Sequence, residues 1–162
     1  IGLVNAAIES TRVLATGLSP VNAERGGLVA AVETLAARLQ DRHGVDVAVT
    51  TRFDAPFTLA DAALNHLYRI AQEAVLNAIR HGNPRHVGIE LALSDGHIRL
   101  RIVDDGRGLG TAAPASAGLG RRIMRYRAQM LGGTCEVGPA GARGVRVECV
   151  CPVAPNLRAA AS

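Results

Sequence analysis

Two runs of strict alternation joined by Asp95-Gly96 constrain this chain more than any other feature. Val87, Ile89, Leu91 and Leu93 alternate with Gly88, Glu90, Ala92 and Ser94. Ile98, Leu100 and Ile102 then alternate with Arg99, Arg101 and Val103. A period of two puts the apolar side chains of each run on one face, and Asp-Gly is the residue pair of a tight turn. The segment is therefore an antiparallel hairpin with one buried face.

A long helical stretch before the hairpin can cover that face. On a 100° wheel Leu64, Leu67, Ala71, Ala74, Val75 and Ala78 fall in one arc, which must meet the sheet. Thr58 or Asp61 can cap this helix, which runs to Arg80 or His81, where Gly82 and Pro84 end it. Glu73, Asn77 and His81 form a line roughly a right angle from the arc. That line sits at the border of the core, where a cleft would open. Ordinary polar flank residues would give the same pattern if this helix were judged alone.

The remaining elements follow from periodicity and breakers. A helix is expected from about Gly27 to Arg42, stopped by Gly44, then an edge strand over Val45–Thr51. Leu109–Ala117 is rich in Gly, Ala, Ser and Pro without periodicity and reads as a flexible loop. A helix from about Leu119 to Leu131 ends at Gly132-Gly133, and Thr134–Val137 with Val145–Cys151 make a last hairpin. Val4, Ile8, Thr11, Ala15 and Leu18 form a short heptad seam over residues 2–18, either the tail of a coiled-coil helix or a simple amphipathic packing helix. With 162 residues the chain can bury one full core, and with aromatics at 2% that core is built from Val, Leu, Ile and Ala. The tail after Pro152 reads as loose.

Several function classes recede. The net charge of +4 is mild and comes without an aromatic-studded basic strand or helix-turn-helix pattern, so nucleic acid is not the expected partner. No apolar run reaches the roughly 18 residues of a membrane span, and no signal peptide is visible. The chain opens at Ile1 without an initiator Met, as a fragment of a longer protein would, so a membrane segment could lie upstream. Cys135, Cys149 and Cys151 lack zinc spacing and share strand parity with buried valines, as inert core thiols would.

Strand parity singles out one acid. Asp104 continues the inward parity of residues 98, 100 and 102, and an inward carboxylate is costly unless a donor meets it. Gly106 and Gly108 after it let backbone approach a ligand and turn sharply. Taken alone, Asp104-Asp-Gly-Arg-Gly108 is more often a plain turn. Gly118-Leu119-Gly120 is expected to open the next helix, where free amides attract phosphate. Arg121, Arg122 and Arg125 lie near that end, though they could be simply solvated. No GxxxxGK[ST] motif occurs, so phosphates would be held without a P-loop.

The order of acid–amide helix, strand ending in Asp-x-Gly-x-Gly, flexible lid and Gly-x-Gly helix resembles the ATP-binding domain of bacterial sensor histidine kinases. This group shares its domain with type II topoisomerases, mismatch-repair ATPases and heat-shock chaperones. The chain looks most like the subgroup of nitrate and membrane-fluidity sensors. The resemblance spans about residues 27–152. It implies a two-layer α/β (α+β) sandwich, with a mixed, mostly antiparallel sheet covered on one face by helices. It implies ATP and Mg²⁺ as ligands, with Asn77 the metal ligand, Glu73 the polarising acid, and Arg80 and His81 near the phosphates. Asp104, not Asp105, would read adenine, with Gly106, Gly108, Gly118, Leu119 and Gly120 shaping the pocket. Residues 1–20 would be the end of a dimerisation helix, 21–152 the catalytic domain and 153–162 a flexible tail.

The implied activity is transfer of the γ-phosphate to a histidine on a dimerisation helix, then to a response regulator. The parent would be a homodimer, with this domain in the cytoplasm and the parent open to membrane anchoring. No histidine here sits in a His-Asp/Glu context, so the acceptor helix is expected upstream and the fragment should not label itself. Many relatives carry Gly-Thr before the last strand. Here the pair is Gly144-Val145, so that hydrogen bond is missing or supplied elsewhere. An anti-sigma-factor-like serine kinase or switch module, or a degenerate non-enzymatic nucleotide- or partner-binding domain, remains an alternative on the same fold.

Overall fold

A computed structural model describes residues 27–55, 57–110 and 115–153, with backbone alone at 115–117. The expected helix over 2–18, the core of the lid at 111–114 and the tail from 154 lie outside the described residues. The elements run α1 (Gly27–His43), β1 (Asp46–Phe53), α2 (Asp61–Asn77), a wide π-helical turn (Ala78–Gly82), β2 (His86–Ser94), β3 (His97–Asp104), α3 (Ala115–Met130), β4 (Thr134–Pro139) and β5 (Val145–Pro152).

The alternation in β2 and β3 behaves as expected. Val87, Ile89, Leu91 and Leu93 pair with Asp104, Ile102, Leu100 and Ile98, all on the buried face. Asp95 and Gly96 both take positive φ, 52° and 71°, as a tight turn between right-twisting strands requires. The sheet order is β1-β2-β3-β5-β4; β1 lies parallel to β2 at one edge and the other pairs are antiparallel. A parallel neighbour needs a crossover, and α2 provides it. The helices cover one face, so the sandwich has two layers with a core of Val, Leu, Ile, Ala, Met124 and the three cysteines.

Two expectations shift. Neither Thr58 nor Asp61 is the N-cap of α2; that position is Ala60, with extended backbone and no side-chain cap hydrogen bond, while Asp61 lies in the first turn and favours the helix dipole. The second concerns α3, which begins at Ala115 and not near Leu119. Ala115-Ser116-Ala117 contains no helix breaker and alanine is the strongest helix former, so the helix reaches back towards Pro114. Gly118 and Gly120 are therefore inside the helix.

Candidate functional site

Asp104 is the anchor of the site. At 5% exposure it is the buried charged side chain of the described core. Its Oδ1 accepts the Gly106 N–H at 2.8 Å and its Oδ2 accepts the Val145 N–H at 3.3 Å. Burial lifts its pKa above the ordinary carboxylate value, against the pull of these two amides, and the Asp105 charge adds to the rise. The contact of position 145 with this carboxylate is thus made by its backbone amide.

Asp105 has a different task. It is exposed, and its Oδ1 accepts the N–H groups of Arg85 at 2.8 Å and His86 at 3.0 Å. The His86 amide is the main cause holding its pKa below the usual value. This carboxylate ties the entry of β2 to the end of β3.

The glycines of the box are needed for close approach. A Cβ on Gly106 would stand 2.6 Å from the Gly82 carbonyl oxygen and 2.8 Å from Asp104 Oδ1. Gly108 (φ 81°) and Gly144 (φ 80°) adopt left-handed backbone, and a Cβ on Gly144 would collide with the Asp104 carbonyl oxygen. The Arg107 N–H donates to Gly82 O and the Gly144 N–H to Gly106 O, both at 2.9 Å. The box is thereby stitched to the end of α2 on one side and the start of β5 on the other.

Asn77 and Glu73 meet at the border of the core, both half-buried. The Asn77 amide donates to Glu73 Oε1 at 3.0 Å, so its carbonyl oxygen is left for another partner. Gly120 of α3 packs directly on this pair: a Cβ there would overlap Glu73 Oε1 and approach Asn77 Nδ2 to 2.9 Å. Gly118 has open space around it.

These elements enclose a cavity of about 370 Å³. Its cationic and polar lining comes from Asn77, Arg80, His81, Arg107 and Arg121. Its apolar lining comes from Ile102, Met124, Val137, Val145 and Val147, with the Asp104 carboxylate held by the Val145 amide. Ala74, Ala78 and Leu109, with Gly82, Gly108 and Gly110, complete the wall.

Five of the ten anticipated residues thus share one cavity: Asn77, Arg80, His81, Asp104 and Gly108. Glu73 stands behind Asn77, and Gly106 supports Asp104, neither forming the wall. Gly118, Leu119 and Gly120 do not line it; Gly120 acts through its contact with the acid–amide pair. The π-helical turn carries Arg80 and His81, so the four-residue step from Asn77 to His81 is not regular α-helix, and wide turns of this kind recur at functional sites. Arg107 and Met124 were missed, while Arg121 and Val145 were noted only as a cation near a helix end and as a departure from a Gly-Thr pair. Met124 lies one turn beyond Gly120, and Val145 shares strand parity with the buried Val147, so periodicity held a signal for both. Three of the other four histidines have structural surroundings: His66 Nδ1 lies 3.4 Å from Arg127, His86 Nδ1 3.1 Å from Asp46, and His97 Nδ1 2.9 Å from the Asp95 carbonyl.

The family model for histidine kinase-, DNA gyrase B- and HSP90-like ATPases matches residues 62–155, which include α2, the box and α3. The chain belongs to this ATPase family. Sensor protein VraS of Staphylococcus aureus is 31% identical over 143 residues, covering 88% of this chain and 40% of that protein. Sensor histidine kinase LiaS of Bacillus subtilis is 28% identical over 145 residues, covering 90% and 39%. The chain therefore spans about 40% of the length of these relatives. Among solved structures, the ATP binding domain of PrrB from Mycobacterium tuberculosis matches with a TM-score of 0.60 at 20% identity, over 79% of this chain and 95% of that one. The blue-light activated histidine kinase EL346 of Erythrobacter litoralis matches with a TM-score of 0.63 at 23% identity, over 78% and 45%. These likenesses share the fold of the ATPase family. Among the described residues no helix is long and apolar enough to cross a membrane.

Proposed function

We propose that this chain is the ATP-binding catalytic domain of a two-component sensor histidine kinase. The observation that carries the reading is that one cavity combines apolar side chains and a buried carboxylate, as a first part of its lining, with Asn77, Arg80, His81, Arg107 and Arg121 as a second. An adenine fits the first part: its ring lies among Val145, Val147, Ile102 and Met124, and its amino group donates to Asp104. Triphosphate charge fits the second, where guanidinium groups neutralise it. The ATPase family and the sensor-kinase relatives support the same assignment.

The residues present also fit Mg²⁺. Glu73 engages the amide nitrogen of Asn77 and leaves a neutral carbonyl oxygen, a hard ligand that suits this ion alongside phosphates and waters. When bound, the ion neutralises charge on the phosphates. Glu73 fixes the Asn77 rotamer and orients water or ligand beside it. Arg80, His81, Arg107 and Arg121 hold the phosphate chain so that the γ-phosphate faces out of the cavity. Catalysis on this reading is positioning and charge neutralisation. The acceptor is a histidine on a dimerisation helix of a homodimeric parent, and a response-regulator aspartate receives the phosphoryl group next. The parent is open to membrane anchoring.

Calorimetric titration with a non-hydrolysable ATP analogue tests the reading. The chain should bind the analogue, more tightly with Mg²⁺ than without. Asn77→Ala should abolish the Mg²⁺-dependent gain and keep the Mg²⁺-independent part. Failure of the wild-type chain to bind under either condition would overturn the proposal.

A further inference from the structure

We propose that Val145 sets how the cavity reads a purine: by one exocyclic amino group, with no side-chain contact to the ring nitrogen beside it. This inference rests on the nucleotide reading above and narrows it to base recognition. Among the described residues that line the cavity Asp104 is the carboxylate, and Ile102, Met124, Val137, Val145 and Val147 supply apolar lining. Among the described lining residues none carries a hydroxyl.

Position 145 is decisive because of what its backbone does. The Val145 N–H holds Asp104 Oδ2 at 3.3 Å, so its side chain stands beside the carboxylate on the same wall. In a 6-aminopurine the ring nitrogen N1 adjoins the carbon bearing the amino group. An amino group donating to Asp104 through the hydrogen on its N1 side brings N1 close to the neighbours of Asp104. Valine offers only methyl groups there, so N1 keeps a water molecule or loses its partner.

The carboxylate supplies discrimination of another kind. Ionised, it can only accept hydrogen bonds, so it welcomes an amino group and rejects an oxo group at the same carbon. The cavity is accordingly strict about the amino group and indifferent to N1.

Calorimetry on the 162-residue chain with ADP, 1-deaza-ADP and inosine diphosphate tests this. For the wild type, 1-deaza-ADP should bind within about twofold of ADP, because no side-chain donor is lost, while inosine diphosphate should bind at least about tenfold more weakly. The isosteric Val145→Thr change introduces a hydroxyl at the wall. It should tighten ADP by roughly three- to tenfold, the worth of one neutral hydrogen bond, and leave 1-deaza-ADP unchanged. Val145→Ala, which adds no donor, should tighten neither. Melting curves of each variant establish that it is folded, and the wild-type comparison stands even if a variant is not.

A tenfold or larger loss on removing N1 from the wild-type ligand overturns the inference. So does a Val145→Thr gain that is absent or equal for both ligands. If ADP itself does not bind, the nucleotide reading fails and carries this inference with it. Binding with strong N1 dependence sinks the inference alone.

Discussion

Replacing Gly120 by alanine sets two effects of known size against each other. Within an exposed helix interior, Gly→Ala stabilises by roughly 0.5–1 kcal/mol through backbone entropy. Gly118 lies in the same helix, α3, two residues earlier, with nothing within 4 Å of its virtual Cβ, so Gly118→Ala should realise that gain. At Gly120 the new methyl would overlap Glu73 Oε1 and stand 2.9 Å from Asn77 Nδ2. Either α3 lifts off α2 or the 3.0 Å bond between Asn77 and Glu73 breaks. A hydrogen bond to a charged group is worth about 1.5–3 kcal/mol. The loss exceeds the propensity gain, so Gly120→Ala should be less stable than wild type by roughly 0.5–2.5 kcal/mol, and less stable than Gly118→Ala by more.

Because Asn77 is then no longer held, Mg²⁺-dependent affinity for an ATP analogue should fall at least about tenfold, a free-energy change of roughly 1.4 kcal/mol. Chemical denaturation of both variants and calorimetry with and without Mg²⁺ make the comparison. If Gly120→Ala is as stable as Gly118→Ala and binds Mg-nucleotide like wild type, the close packing of α3 on the acid–amide pair is not what the glycine is for.

Asp104→Asn should lose nucleotide binding by about a hundredfold or more, since its amide cannot serve both backbone donors and the ligand; titration with ADP reads this out. The pH dependence at Asp104 runs in two directions. Burial raises its folded pKa above the unfolded value, so the ionised form costs stability, and that cost fades as pH falls through the raised pKa. Nucleotide affinity falls over the same interval, because the protonated carboxyl no longer accepts as freely from the amino group; melting curves and calorimetry across mildly acidic pH should show the opposed trends. Gly144→Ala, which combines a φ of 80° with a collision on the Asp104 carbonyl, should destabilise by about 3 kcal/mol or prevent folding, measured by denaturation. The Cys135 thiol, pushed up to about 11 by burial, should react with a thiol reagent at pH 8 only after denaturant is added.

Several features of this protein follow from local pattern alone. The alternation through β2 and β3 shows the buried face because strand geometry has a fixed period, and Asp95-Gly96 announces its turn because few other pairs accept positive φ twice. The same parity carries through to Asp104 and predicts an inward carboxylate, which the structure holds with two amides. The arc on α2 was legible for the same reason: a regular helix repeats every 3.6 residues, and the buried residues follow it. The end of α2 was less legible, since the wide turn over Ala78–Gly82 breaks that repeat and re-aims Arg80 and His81.

What tertiary structure alone decided are the contacts between residues far apart in the chain. Gly120 reads in the sequence as a phosphate loop, yet its space is taken by Glu73 and Asn77 from another helix. The valine at 145 reads as a lost hydroxyl, but its amide reaches Asp104 across 41 residues because β5 lies beside β3. Periodicity records which face of an element is apolar; it does not record which neighbour that face will meet, or how closely. Those distances arise only when the helices settle on the sheet, and they are what turn an acid, an amide and a carboxylate into one site.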